Sequence, residues 1–259
     1  MPLDPRLGRL FDLTGRVALV TGGNSGLGKG IAWALCAAGA KAVLVARRET
    51  ELRAAVEEFA RDGLQAAALA CDLNDRKALA QACAKAPEFF GAPDILVNAA
   101  GINPRKAFTE TADADWDATV ELNLTVPFLL TRALAPAMRE RGWGRIVNIA
   151  SLQSVRAFPN SAPYGATKGG IVQLTRAIAE AWSRHGVTCN AIAPGLFRTP
   201  LTAALYADPK VAQAMAQRTM VGRNGEVPDV HGMAVFLASD ASAFVTGQTL
   251  FLDGGFTAG

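Results

Sequence analysis

Two histidines and four cysteines are few metal ligands for a chain of 259 residues, and no two of the cysteines stand at C-x-x-C spacing. Cys36, Cys71, Cys83 and Cys189 therefore argue against a structural zinc site, and no metal is expected. Reduced, mostly buried thiols are the simpler reading. His185 and His231 fall at a helix end and a helix start and read as ordinary residues. Long hydrophobic runs are also missing, because glycine, proline or a charge interrupts every apolar stretch; no membrane partner is expected. The opening MPLDPRLGRLFDLTGR lacks the apolar centre of a secretory signal. A formal charge of only +3, with no basic stripe carrying interleaved aromatics, gives no reason to expect nucleic acid. No repeat, low-complexity tract or Pro/Gly/Ser linker divides the chain. Residues 1–259 are accordingly expected to form one domain of a cytoplasmic protein.

What the chain does have is alternation. Seven short apolar runs, RVALV (16–20), AVLVA (42–46), AAALACDL (66–73), DILVNAAG (94–101), GRIVNIAS (144–151), VTCNAIAPG (187–195) and TLFLDGG (249–255), are separated by stretches of helical periodicity, notably 116–141 and 164–185. Runs that are apolar throughout, with helices between them, predict a parallel sheet covered on both faces. The expected fold is α/β, a doubly wound (Rossmann) sheet of about seven strands. Ligands bind such sheets beyond the carboxyl ends of the strands, so the residues just after each run carry the functional information.

The first of those segments is TGGNSGLG (21–28), between the first strand and the first helix. Gly22 suits the tight turn, Gly26 lets a ligand approach the backbone, and Gly28 lets helix and strand pack closely, with Asn24, Ser25 and Leu27 between them. The helix start then offers free N–H groups to a phosphate. No Gly-Lys-Ser/Thr is present, so this is not a P-loop. The second strand ends in Ala46, Arg47 and Arg48, with no carboxylate before Glu49. Arginine here suits the 2′-phosphate of NADP, whereas an acidic residue would suit the ribose of NAD. NADP(H) is therefore preferred over NAD(H), with Arg47 the first candidate for the phosphate and Ser25 a helper.

Tyr164 stands four residues before Lys168, behind the helix-start residues Ser161 and Pro163. On a helix these two share a face, and Tyr164 lies in the first turn, near the positive dipole end. A phenol of pKa about 10 is a poor proton donor or acceptor at neutral pH. The ammonium and the dipole are both expected to favour phenolate.

The order TGxxxGxG (21–28), Asp72, NAAG (98–101), Asn123, Ser151, Tyr164-x-x-x-Lys168 and PG (194–195) resembles the short-chain dehydrogenase/reductase family, from about residue 12 to the DGG at 253–255. The resemblance implies a catalytic group of Asn123, Ser151, Tyr164 and Lys168. Tyr164 would exchange a proton with the reacting oxygen and Ser151 would bind that oxygen. Lys168 would hold the nicotinamide ribose, and Asn123 would hold a water that relays protons to Lys168. Ser154 is a lower-ranked alternative to Ser151. Asp72 and Leu73 would meet the adenine, Asn98, Ala99 and Gly101 would line the cofactor, and Pro194, Gly195 and Thr199 would touch its carboxamide and diphosphate. Asp253 and Arg223 look structural. The resemblance also implies a homotetramer packed through the helices at 116–141 and 164–185.

Substrate readers are sought in Asn103, Arg105, Gln153 and Arg156, and a substrate lid in 196–219, where the family has its mobile segment. GINPRKAF, NIASLQS and PGLFRTPLT are most similar to the gluconate 5-dehydrogenase and deoxygluconate dehydrogenase branch, which implies a secondary alcohol on a sugar acid. The alternatives are a 3-oxoacyl-[acyl-carrier-protein] reductase-like ketoreductase and a non-catalytic NADP-sensing module. A sensor would be expected to have lost one of the four reactive residues, and none is lost.

Overall fold

Among the described residues seven strands run parallel: β1 (Val17–Thr21), β2 (Lys41–Ala46), β3 (Ala66–Ala70), β4 (Ile95–Asn98), β5 (Gly144–Ile149), β6 (Val187–Pro194) and β7 (Thr249–Leu252). A computed structural model describes residues 4–259, so residues 1–3 of the expected domain lie outside the described residues. The spatial order is β3-β2-β1-β4-β5-β6-β7, so each apolar run in the sequence supplies one strand. Leu, Val, Ile and Ala bury β1, β4, β5 and β6 along their whole length, as a sheet covered on both faces requires.

Strand alternation divides the core cleanly. Ala18, Val20, Ala42, Leu44, Ile95 and Val97 face one layer, built from the helices Gly26–Ala37, Glu49–Arg61 and His231–Ala238. Leu19, Val43, Val45, Leu96 and Ile146 face the other, built from Arg76–Lys85, Val126–Glu140 and Ala162–Trp182. The helix expected at 116–141 is in fact two, Asp113–Val120 and Val126–Glu140, joined by a π-helical turn at Glu121–Thr125. A π turn inside a helix re-aims the side chains it carries, and this one carries Asn123. The helix expected at 164–185 spans Ala162–Trp182 and ends in a 3-10 turn, Ser183–His185. All four cysteines are free, and burial raises the Cys36 thiol to about 12. Among the described residues no helix is long and apolar enough to cross a membrane, and no group of three His, Cys, Asp or Glu side chains is placed to hold a metal ion.

The edge of the sheet opposite the strands' carboxyl ends is pinned by a buried carboxylate. Asp94 accepts from the Val17 N–H (3.1 Å) and from Arg141 Nε (3.2 Å), tying the starts of β1 and β4 to the end of the helix Val126–Glu140. Removing one partner of such a pair leaves the others unsatisfied. Asp94→Ala should lower unfolding free energy by about 2 kcal/mol in urea titration, the cost of leaving the buried Val17 N–H unsatisfied, with the cleft at the far edge undisturbed; a loss below about 0.5 kcal/mol would show that the pin carries no weight.

Candidate active site

The chain runs outward from β1 through β2 to β3 and then returns to start β4 on the other side of β1. Where the loops after β1 and β4 part, a cleft of about 350 Å³ opens at the carboxyl edge. Gly22, Asn24, Ser25, Gly26, Leu27 and Gly28 form its floor. Gly22 and Gly26 adopt left-handed backbone (φ 67° and 54°), and a Cβ on Gly28 would collide with the Gly22 carbonyl oxygen. Ser25 precedes the helix Gly26–Ala37 without using its hydroxyl to cap it, so the first-turn N–H groups remain for a ligand. Thr21, unremarked in the sequence, shapes the facing loop: its Oγ1 accepts from the Ala99 and Ala100 N–H groups at 3.0 and 3.1 Å.

Arg47 and Arg48 lie exposed at one end of the cleft. Arg48 is engaged by Glu51 at 2.8 Å, and Asn24 Nδ2 donates to the same carboxylate at 2.7 Å. Among the described residues Arg47 forms no ion pair with a carboxylate. Asp72 is exposed, and its Oδ1 accepts from the Asn74 N–H, with Leu73 buried beside it; both border the cleft. Ala99 and Gly101 line one wall, and Pro194, Gly195 and Thr199 line the other. Asn98 is a correction. It is buried outside the cleft wall, where its amide donates to Asn148 Oδ1 at 2.8 Å and braces β4 against β5. The close-packed glycine floor, free helix start and unpaired arginine fit a dinucleotide.

The reactive residues converge at the other end. Tyr164 is buried in the first turn of its helix, with Ser161 at the N-cap and Pro163 behind it. One turn on, the buried Lys168 ammonium donates to the Ile149 carbonyl at the end of β5 and lies 5.4 Å from the centre of the Tyr164 ring. Ser151 lines the cleft beside the Tyr164 phenol, and its Oγ accepts from the Gln153 N–H at 3.1 Å. Ser154 points elsewhere and donates to the Lys168 carbonyl at 2.6 Å, splinting the strand end to the helix.

Asn123 is spoken for on both sides of its amide. Its Oδ1 accepts from the Ile102 N–H, and its Nδ2 donates to the Ile102 carbonyl (both 2.9 Å) and to Thr167 Oγ1 (3.2 Å). The side chain thus ties the loop after β4 to the helix of Tyr164, a splint that spacing alone did not show. Gly101 is where Asn123 and Lys168 meet: a Cβ there would lie 3.1 Å from Asn123 Oδ1 and 4.0 Å from Lys168 Nζ.

A family model described as enoyl-(acyl carrier protein) reductase matches residues 22–257. The chain is 42% identical to gluconate 5-dehydrogenase of Gluconobacter oxydans over 96% of its own length and 97% of that protein. It is 36% identical to 5-keto-D-gluconate 5-reductase of Escherichia coli K12, over 95% and 97%. A solved gluconate 5-dehydrogenase from Burkholderia cenocepacia, in complex with NADP and tartrate, superposes with a TM-score of 0.93 at 40% identity, over 98% of this chain and 99% of that one. The chain belongs to the short-chain dehydrogenase/reductase family. It is an oxidoreductase acting on CH–OH groups.

A second cleft of about 400 Å³ opens beside Ser151 and Tyr164 in this short-chain dehydrogenase/reductase. Asn103, Arg105 and Gln153 border it, as do Leu201, Leu205, Val211 and Met215 from the segment expected to be the lid. Arg105 holds an uncommon left-handed backbone (φ 51°), and both its Nε and Gln153 Oε1 are buried with no partner. Arg156 is a further correction: it borders a separate hollow and donates to the carbonyls of Thr257 and Gly259 (3.4 Å each), so it does not reach this cleft.

The electrostatics reverse one expectation. Burial pushes the Tyr164 phenol above its ordinary value, and the neighbouring Ser151 and the Arg105 charge only partly oppose it. Burial also lowers Lys168 to about 8, so its ammonium is weakly held. Burial therefore favours the protonated form of Tyr164, where the sequence suggested phenolate. A phenol so placed can give its proton to a ketone oxygen or, once ionised, take one from an alcohol. Alcohol oxidation should accelerate as pH climbs above neutrality. Ketone reduction should hold through neutrality and decline above about 8, as Lys168 loses its charge. Initial rates in both directions across pH check this, and a common optimum for the two would contradict it.

Proposed function

We propose that the chain interconverts a secondary alcohol and a ketone on a sugar acid, with NADP(H) preferred over NAD(H), in the manner of a gluconate 5-dehydrogenase. The observation that carries the substrate class is the buried, unpartnered pair of Arg105 Nε and Gln153 Oε1 beside Tyr164. A guanidinium edge and an amide carbonyl left unsatisfied in a cleft suit a ligand that brings both an anionic oxygen and a hydroxyl. Asn103, whose amide donates to Ser161 Oγ at 3.2 Å, borders the same space. The names of the similar proteins support the same reading.

Bound NADP(H) would supply the hydride donor or acceptor. Gly22 to Gly28 and the helix start behind them would hold its diphosphate, Arg47 with Ser25 its 2′-phosphate, and Asp72 and Leu73 its adenine. Tyr164 exchanges the proton at the substrate oxygen, and Ser151 donates to that oxygen to stabilise charge on it. Lys168 supplies positive charge beneath the phenol and holds the ribose, and Asn123 fixes the loop that shapes their pocket. Residues 196–219 act as the lid over a single domain formed by the whole chain. The protein works as a cytoplasmic homotetramer packed through the helices at 116–141 and 164–185.

Initial rates with NADPH and NADH against 5-ketogluconate, acetoacetyl thioesters and simple diketones test the substrate reading. Tyr164→Phe should lose activity at least about a thousandfold while keeping nucleotide affinity. Turnover only of thioesters would replace the sugar acid with an acyl substrate, and retained turnover in Tyr164→Phe would overturn its role. Arg47→Asp should weaken NADPH binding at least about tenfold more than NADH, the scale of one charge-assisted contact; equal weakening of both would remove the 2′-phosphate from its assignment.

A further inference from the structure

The helix Pro209–Gln217 contributes Val211 and Met215 to the substrate cleft, yet buries none of its own residues. Its position depends on what holds its ends. Phe158, Pro159 and Asn160 also line the cleft, on a loop without helix or strand, and Asn160 stands in left-handed backbone (φ 57°). Both segments are anchored by the last seven residues of the chain. Phe256, three residues from the C-terminus, is buried. Its ring lies 6.1 Å from that of Phe158, and the guanidinium of Arg218, directly after the helix, sits 4.2 Å above its centre.

The backbone around Phe256 is fixed independently. Asp253 accepts from the Gly255 N–H (3.0 Å), the Thr257 N–H (2.9 Å) and the Thr257 hydroxyl (2.7 Å), which curls the tail. The Gly254 carbonyl accepts from the Met220 and Val221 N–H groups, so the tail holds the chain that leaves the helix. Arg156, two residues before Phe158, donates to the carbonyls of Thr257 and Gly259 in the tail. One buried ring thus contacts residues of two segments that line the same cleft.

We propose that Phe256 is a positioning residue for the substrate cleft: it pins the C-terminal end of the lid helix and the Phe158–Asn160 wall to one another, and so sets the width of the space above Tyr164. The proposal rests on reading residues 196–219 as the lid. Phe256 touches neither the nucleotide cleft nor the reacting groups, so it acts on substrate fit and leaves the proton chemistry alone.

The test compares wild type, Phe256→Ala, and the surface variant Arg218→Met, which removes the cation from the ring without opening the core; Arg218→Lys is the conservative control. Amide exchange over 203–217 should quicken about tenfold in Phe256→Ala and a few-fold in Arg218→Met, in keeping with the strength of a ring pair and a cation–ring contact. For whichever ketone the wild type reduces, KM should rise by a similar factor while kcat and NADPH affinity stay within about twofold. Arg218→Lys should recover most of the loss. Unchanged exchange and KM in both variants would overturn the proposal, as would a loss of kcat or nucleotide affinity at unchanged KM. The exchange arm needs no substrate, so a wild type inactive on sugar acids would contradict the substrate reading and leave the pin to be decided by exchange.

Discussion

A lysine ammonium held against the last carbonyl of β5, one helical turn below a buried phenol, is the constraint around which the rest of the site is arranged. Burial opposes the charged forms of both residues, lowering Lys168 to about 8 and raising Tyr164. Neither would persist in an interior without a partner and a use. The surrounding structure supplies the carbonyl of Ile149 for Lys168, sets Ser151 beside Tyr164, and uses Ser154 and Asn123 to fasten the helix carrying them to the neighbouring strand and loop. The carboxyl edge of the sheet is where these loops meet, so the site follows from the topology and the topology from seven apolar runs.

The protonation state is where chemistry and structure must be reconciled. Desolvation outweighs the opposing effects of Ser151 and Arg105, so the phenol keeps its proton. That is the form a ketone reductase needs, ready to donate as charge develops on the substrate oxygen. For alcohol oxidation the phenol must ionise first, and positive charge brought in by an oxidised nicotinamide would favour that. A cleft that gains further positive charge with the oxidised cofactor would have the two protonation states separated by ligand binding.

The strands, their parallel sense and the converging reactive residues were legible in the sequence because each depends on local pattern: apolar runs, a glycine floor and a tyrosine–lysine pair at helical spacing. The tasks of individual polar side chains were less so. Asn98 sits in the matching motif but turns its amide to Asn148, since a side chain on a buried strand answers to the next strand. Arg156 lies near the mouth in sequence yet binds the chain terminus a hundred residues on, a tertiary pairing that periodicity cannot carry. Asn123 stands out in the matching motif, but its π turn and its two hydrogen bonds to Ile102 arise from packing. The phenol's direction of shift was missed because spacing reveals the lysine, while depth of burial belongs to the folded chain.

Only two tyrosines are present, Tyr164 and Tyr206, so the central claim can be read directly. In a Tyr206→Phe background Tyr164 is the sole phenol, and its ionisation can be followed by ultraviolet difference absorbance, first without ligand and then with saturating NADP+. The account predicts a midpoint above the ordinary value of about 10 in the free protein and a fall on binding the oxidised nucleotide. A free-protein midpoint well below the ordinary value, or one that the nucleotide does not move, would contradict it.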